Sequence, residues 1–207
     1  MDATAKFWEK VADRYAKQPV ADEQSYQTKL AKTREYLTPD STVLEFGCGT
    51  GTTAITHAPY VKHIHAIDIA DNMLQYGREK AAKANVSNIS FEQATIEEFQ
   101  APASSFDMVL GLSILHLLRD PQTAINKVFT LLKPGGVFVS STVCIDERQR
   151  YLKYILPIMK LLGKAPFVQS FKVADVERLL TQAGFTIDHH WLPGKGTVVF
   201  LIAKKPL

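Results

Sequence analysis

The segment Val43-Leu44-Glu45-Phe46-Gly47-Cys48-Gly49-Thr50-Gly51-Thr52 decides the fold of this chain. Its first residues form a short apolar run, which is typical of a buried β-strand, and a segment of helical period follows its glycines. Glycine at such a turn lets the backbone adopt positive φ and lets a ligand approach the main chain closely. The segment therefore predicts a strand, a ligand-binding loop and a helix in succession.

The spacing of these glycines argues against two phosphate-binding motifs. A dinucleotide-binding loop requires G-x-G-x-x-G, but Thr52 stands where the third glycine would be. A Walker A loop requires a lysine after its last glycine, but Gly51 is followed by two threonines. An NAD-dependent oxidoreductase thus becomes a less favoured alternative.

Elsewhere in the chain, short β-branched and apolar runs alternate with longer segments of helical period. This alternation is typical of βαβ units. The predicted strands are Thr42–Phe46, His63–Asp68, Ile89–Gln93, Phe106–Leu110, Val137–Val143, Phe185–Trp191 and Thr197–Ala203, and the predicted helices are Thr53–Ala58, Asn72–Ala84, Thr123–Leu132 and Val173–Ala183. The loop between the last two strands is too short for a crossover, so these strands should be antiparallel. We therefore expect an α/β fold, a three-layer α/β/α sandwich whose seven-stranded sheet is mostly parallel with one antiparallel C-terminal strand.

The composition is that of an ordinary globular protein. The 207 residues are 46% hydrophobic and 22% charged, and 24 basic residues against 21 acidic ones give a net charge of +3. We expect one domain over residues 1–207 and no nucleic-acid partner, because binding a phosphate backbone takes several cations on one face.

No apolar run approaches the roughly 20 residues of a membrane span, and no signal peptide is recognisable. Two cysteines outside any metal-binding pattern predict neither disulfides nor a metal site, and a cytoplasmic location is expected.

Further motifs follow the glycine loop in the order and spacing of a known family. They are His65–Ile69 with its acid at the strand end, Ser105–Gly111, Leu131–Gly136 and the terminal strand that begins at Gly184-Phe185. Together with Glu45-x-Gly47-x-Gly49-x-Gly51, they resemble the class I S-adenosylmethionine-dependent methyltransferases, which have a Rossmann-like fold. The segments Phe7–Tyr15 and Leu112–Leu118 are similar to the small-molecule group that includes the quinone-biosynthesis C-methyltransferases.

The resemblance implies S-adenosylmethionine as the cofactor and S-adenosylhomocysteine as its product. Glu45 would contact the cofactor's amino group, the Gly47-Cys48-Gly49 turn would lie under its methionine and ribose, and Asp68 would accept the ribose hydroxyls. The other cofactor candidates are Ile69 and Met73 beside adenine, Ala94, Thr95 and Ile96 after the third strand, Leu112 and Ser113 after the fourth, and Tyr15 and Lys29 near the N-terminus. Core packing would also explain Ile69 and Met73, and a solvated helix face would also explain Tyr15 and Lys29. Ala94-Thr95 stands where the family commonly carries Gly-Asp, so the usual charged contact to adenine is missing.

His116 is the one ionisable residue in the segment after the fourth strand, where the resemblance places the transferable methyl group. It is a candidate general base because its ordinary pKa of about 6.5 is close to working pH, although a structural role at a helix start is an alternative. Residues 40–145 and 173–207 should form the cofactor-binding core, with 1–39 as a helical cover. Residues 146–172 are either a lid over a hydrophobic acceptor pocket or an interfacial helix.

The resemblance implies methyl transfer by direct in-line displacement to a small acceptor. The apolar lid segment suggests that this acceptor is hydrophobic or aromatic. A non-catalytic module that binds S-adenosylmethionine is the alternative. No stable membrane insertion is expected.

Overall fold

The apolar runs form one seven-stranded sheet in the computed structural model, which describes residues 3–145, 165–193 and 197–207. The strands are β1 (Thr42–Phe46), β2 (His63–Asp68), β3 (Ile89–Gln93), β4 (Phe106–Leu112), β5 (Leu132–Val143), β6 (Thr186–Trp191) and β7 (Val198–Lys204). Their order across the sheet is β3-β2-β1-β4-β5-β7-β6. The first five pair in parallel, and β7 runs antiparallel to both β5 and β6. The predicted sheet with one antiparallel strand is confirmed.

Helices cover both faces of this sheet. They are α1 (Ala3–Lys17), α2 (Glu23–Arg34), α3 (Thr52–His57), α4 (Asp71–Lys83), α5 (Pro121–Leu131) and α6 (Val173–Gln182), with short 3-10 turns at Ala58–Tyr60 and Leu115–Leu117. Met108 and Leu110 of β4 pack into a cluster with α3 and α4, whereas Val109 packs into a second cluster with α5 and α6. This alternation follows from the pleat of the strand. The predicted three-layer arrangement is therefore confirmed.

The structure corrects the start of β5. The sequence predicts a turn at Lys133–Gly136 and a strand from Val137, but β5 begins at Leu132. The four residues before Val137 form an irregularity opposite β4, where the pairing shifts between Phe106 and Met108. Gly135 has a φ of +75° within it.

The predicted lid, residues 146–172, lies largely outside the described residues, which resume at Ala165. Phe171 is 4% exposed and packs in the cluster beside α6. Within the described ranges, none of the helices combines the length and the apolar character that a membrane crossing needs.

Candidate functional site

The glycine loop after β1 has the left-handed backbone that its sequence predicts. Gly47, Gly49 and Gly51 have φ values of +64°, +54° and +68°. A Cβ atom at Gly47 would lie 2.7 Å from the Ile114 side chain, whereas one at Gly49 would meet Tyr15 alone, at 3.6 Å. Gly49 therefore borders open space under the Tyr15 ring.

Asp68 fixes this loop to the end of β2, the strand next to β1. Its Oδ2 accepts a hydrogen bond from the Gly49 N–H at 2.8 Å, and its Oδ1 accepts one from the Ala70 N–H at 2.9 Å. Burial raises the pKa of Asp68, and these backbone hydrogen bonds oppose the increase because they stabilise the carboxylate. Each oxygen keeps acceptor capacity for a further donor such as a hydroxyl group.

Glu45, near the end of β1, has a buried carboxyl group whose Oε2 atom has no hydrogen-bond partner among the described residues. The residue is 3% exposed. Burial, together with the negative charge of Asp68, raises its pKa to about 8. A buried carboxyl oxygen without a partner is costly, so this arrangement suits a ligand that brings a cationic donor.

Two cavities meet at the glycine loop. The large cavity has a volume of about 480 Å³, and the small cavity one of about 140 Å³. Tyr15, Lys29, Glu45, Gly47, Cys48, Leu112 and Ser113 line the large cavity, and Tyr15, Gly47, Gly49, Asp68, Ile69, Met73, Ala94, Thr95, Ile96, Leu112 and Ser113 line the small one. Every residue predicted to bind the cofactor therefore lines at least one of them. The two cavities share Tyr15, Gly47, Leu112 and Ser113, so a single extended ligand could occupy both.

The small cavity has an apolar interior with Asp68 at one side. Met73 and Ile96 are both 2% exposed, and Trp8 of α1 joins them in the lining. Thr95 is less available than the sequence indicates, because its hydroxyl donates to Glu98 Oε2 at 3.1 Å and accepts from the Glu98 N–H at 3.2 Å. This reciprocal pair has the spacing of a capping box, a signal that the sequence analysis missed.

The large cavity contains two ammonium groups whose hydrogen bonds go to hydroxyls. Lys29 Nζ donates to Ser141 Oγ at 3.0 Å, and Lys80 Nζ donates to Thr50 Oγ1 at 2.8 Å. Burial lowers the pKa of both lysines. Neither forms an ion pair with a carboxylate of the described ranges. An anionic group in the cavity would therefore stabilise the charged form of whichever lysine it contacts.

Some residues of the large cavity were not predicted from the sequence. His57, at the end of α3, is 1% exposed, and within the described part of the chain neither ring nitrogen has a partner. Burial and the positive charge of Arg34 lower its pKa to about 4. In the sequence, only its position shortly after the glycine loop indicated that His57 could lie near the site. Thr53, whose Oγ1 lies 3.2 Å from the Tyr26 hydroxyl, was visible as part of the loop-helix motif.

His116, the predicted general base, lies in the 3-10 turn that follows β4. Ile114 and Leu117 line the small cavity, but His116 is absent from the described lining of both cavities. It is 8% exposed, and its Nδ1 atom has no partner among the described residues. Burial lowers its pKa to about 4. The role of His116 as a general base therefore stays a prediction.

Comparisons with known proteins agree with this geometry. A family model described as a methyltransferase domain matches residues 37–186. The chain is 30% identical over 144 residues to a demethylmenaquinone methyltransferase of Listeria monocytogenes, covering 63% of this chain and 57% of that protein. It is 34% identical over 151 residues to a ubiquinone biosynthesis O-methyltransferase of Acinetobacter baumannii, covering 70% of this chain and 63% of the relative. The chain thus spans somewhat over half the length of these relatives.

A solved structure shares the fold. A crystal structure of a putative methyltransferase from Bacillus halodurans superimposes with a TM-score of 0.76 at 17% identity, covering 88% of this chain and all of that one. The family model spans the sheet from just before β1 into β6, and with it the glycine loop and Asp68. The chain belongs to the methyltransferase family that its motifs indicate, the class I S-adenosylmethionine-dependent methyltransferases.

Proposed function

We propose that this chain binds S-adenosylmethionine across the two cavities and transfers its methyl group to a small acceptor. The observation that carries the proposal is the buried Glu45 carboxyl group, which has an unpartnered oxygen and lies beside the glycine loop where the cavities meet. A cationic amino group in the large cavity would satisfy this carboxyl group. The family membership supports the same cofactor.

The residues of both cavities fit the parts of this cofactor. Asp68 would accept hydrogen bonds from the ribose hydroxyls, since both of its oxygens keep acceptor capacity. Ile69, Met73 and Ile96 would enclose the adenine in the small cavity. Lys29 would bind the carboxylate of the methionine part in the large cavity. Its ammonium group donates to a neutral hydroxyl, and that partner does not balance its positive charge.

The bound cofactor supplies a methyl group on a positively charged sulfur, which is already activated for direct in-line displacement and leaves S-adenosylhomocysteine. The residues of the chain then act mainly by positioning the partners and excluding water. Tyr15 lies where the two cavities meet and covers Gly49. Burial and the charges of Asp68 and Glu45 raise the pKa of its hydroxyl, so at neutral pH this group stays a hydrogen-bond donor.

The proposal assigns no proton transfer to His116. A general base works best when its pKa is close to the operating pH. The pKa of about 4 leaves the buried ring uncharged but weakly basic at pH 7. An acceptor that ionises readily, such as an acidic phenol, would need no base from this segment.

We infer that the acceptor is a small aromatic molecule of the quinone or phenol class. The volume of the large cavity is in the range typical of small-molecule sites. The names of the relatives, a demethylmenaquinone and a ubiquinone-pathway methyltransferase, support this class.

Methyl transfer can be tested with isotopically labelled S-adenosylmethionine and a panel of acceptors. The panel should contain phenols, demethylated quinols, amines and thiols, and mass spectrometry should quantify S-adenosylhomocysteine. We expect its formation to depend on an acceptor with an aromatic hydroxyl, either a phenol or a quinol. Tight cofactor binding without turnover on any acceptor would favour a non-catalytic binding module instead.

A further inference from the structure

A carboxylate from α1 caps the first turn of α4. Glu9 Oε1 accepts a hydrogen bond from the Asp71 N–H at 2.7 Å, and Glu9 Oε2 accepts one from the Asn72 N–H at 3.0 Å. The Asn72 side chain donates in return to the backbone oxygen of Glu9 at 3.3 Å. Glu9 therefore connects two helices that are far apart in the sequence.

No local residue supplies this cap. The N-cap position of α4 is Ala70, which has no side chain to accept a hydrogen bond. The first N–H groups of a helix otherwise lack intrahelical partners, and a negative charge at that end is favourable. Without the Glu9 carboxylate, the Asp71 and Asn72 N–H groups would therefore lose their side-chain acceptor, and the N-cap residue could not replace it.

The helix that carries Glu9 also forms part of the small cavity. Thr4, Trp8 and Tyr15 line it from one face of α1, since their spacings of four and seven residues correspond to whole helical turns. Ala12, which is 1% exposed, lies in one buried cluster with Ala70 and Met73. Holding α1 on α4 thus holds one wall of this cavity in place.

Residues at the capped end of α4 line the same cavity. The Ala70 N–H donates to Asp68, and Ile69 and Met73 line the cavity. Glu9 therefore joins two helices whose residues line this cavity. A second link between these helices, from the Tyr76 hydroxyl to Asp13 Oδ1 at 2.9 Å, lies further along both.

We infer that Glu9 is a positioning residue that latches α1 over the small cavity and so slows release of the adenosine part of the ligand. This inference rests on the proposed function, because it assigns the small cavity to the cofactor. Glu9 itself is absent from the described lining of both cavities, so it acts through α1 and α4 rather than by ligand contact.

The test compares S-adenosylhomocysteine binding to the wild-type chain with binding to Glu9→Ala and Glu9→Gln. We expect Glu9→Ala to raise the Kd by about five- to tenfold, mainly through faster dissociation in stopped-flow measurements, as the loss of a helix cap would predict. Glu9→Gln keeps one acceptor oxygen and should give an intermediate effect. In turnover assays KM for the methyl donor should rise while kcat changes little.

Hydrogen exchange distinguishes a local effect on α1 and α4 from a general loss of stability. In the ligand-free Glu9→Ala protein, exchange should increase in residues 3–17 and in the first turn of α4, with β4 and β5 unchanged. Glu23→Ala is the matched control, because Glu23 lies on α2 and its carboxylate bonds to Gln27 on its own helix. It should reproduce the wild-type Kd and exchange pattern.

The outcomes separate this inference from the proposed function. If the wild-type chain binds S-adenosylhomocysteine and Glu9→Ala binds it equally well, or exchanges like the wild type, the latch is wrong and the proposed function stands. If the wild-type chain does not bind S-adenosylhomocysteine, the proposed function and the latch are both overturned.

Discussion

At the scale of single residues, Glu45 has the strongest energetic reason to take a ligand. In the ligand-free chain its pKa of about 8 leaves the carboxyl group mostly protonated at pH 7. A cationic amino group beside it favours the ionised form. Ligand binding should therefore release a proton, and affinity should increase as the pH rises towards 8.

This linkage gives a measurable prediction. At pH 7 we expect S-adenosylhomocysteine binding to release up to about one proton per molecule. Calorimetry in two buffers of different ionisation enthalpy measures this number directly. Glu45→Gln should bind more weakly and release none, whereas a wild-type binding heat that is independent of the buffer would contradict the role of Glu45.

Gly49 tests the space over the loop. A methyl group at Gly49 would occupy the region between the loop and Tyr15, where it clashes with no described atom of the chain. We expect Gly49→Ala to fold but to lose at least tenfold in affinity for S-adenosylhomocysteine, equivalent to about 1.4 kcal/mol. Calorimetry on the purified variant provides the measurement.

Gly135→Ala is the matched control for this substitution. Gly135 also has a positive φ, +75°, and its Cβ would meet the Leu207 side chain at 3.1 Å, away from both cavities. It imposes the same left-handed backbone strain without filling the site. Equal losses of affinity in the two variants would show that strain, rather than occupied space, causes the effect.

At this scale the sequence predicts the motif residues well and the non-local ones poorly. Glu45, Gly49 and Asp68 follow directly from strand ends and glycine spacing. Glu9 has no such signal, because it contacts residues that are distant in the chain. His57 has only its position after the glycine loop.

At the scale of elements, β4 depends on a residue without a side chain. Gly111 lies between Phe46 of β1 and Phe138 of β5, whose rings stack with their centroids 6.2 Å apart. A Cβ at Gly111 would lie 2.6 Å from Phe46 Cζ and 3.1 Å from Phe138 Cε2. Both rings are at most 2% exposed and have little room to move.

We therefore predict that Gly111→Ala destabilises the fold by about 1–3 kcal/mol through overpacking. An alanine elsewhere in a strand would instead be slightly stabilising relative to glycine. Urea denaturation measures the change. Combining it with Phe46→Leu should recover part of the loss, and simple additivity of the two substitutions would contradict the overpacking explanation.

The elements themselves were largely predictable. The limits of β1, β2 and β3 agree with the predicted ones because β-branched and apolar residues recur in each strand and turn residues separate the strands. The start of β5 could not be predicted, because the Gly135 N–H and the Gly136 oxygen form hydrogen bonds with Lys205 near the C-terminus. A Pro-Gly-Gly sequence indicates a turn locally, and no local pattern reveals that distant partner.

At the scale of the whole molecule, two buried histidines make stability depend on pH. Burial lowers the pKa of His57 and of His116 from 6.5 to about 4. Below pH 6.5 the unfolded chain binds protons at these sites and the folded chain does not, so the folded state loses stability as the pH falls towards 4. Glu45 acts in the opposite direction, since the unfolded chain ionises above pH 4.5 while the folded chain stays protonated up to about 8.

Each histidine should cost roughly 2 kcal/mol of unfolding free energy between pH 7.5 and pH 5. Because Glu45 offsets part of this cost, the measurement is the difference between the wild-type chain and His57→Gln or His116→Gln at each pH. Relative to the wild type, each variant should gain stability on acidification. A difference that stays constant between the two pH values would contradict the assigned burial.

The order of the motifs along the chain predicted the family and the fold together. One glycine loop alone would not have done so, but the loop, the acid after β2 and the closing antiparallel strand have a fixed spatial relation in a single sheet. The docking of α1 and α2 was less predictable. Their contacts with the sheet, such as the hydrogen bond from the Tyr36 hydroxyl after α2 to Asp188 of β6, join residues that are distant in the sequence.

The central claim is that the glycine loop binds S-adenosylmethionine rather than a dinucleotide. Isothermal titration of the wild-type chain with S-adenosylhomocysteine, and separately with NADH, tests it most directly. We predict saturable one-to-one binding of S-adenosylhomocysteine and no heat of binding with NADH. Binding of NADH without binding of S-adenosylhomocysteine would contradict the assignment of the loop and of the site built on it.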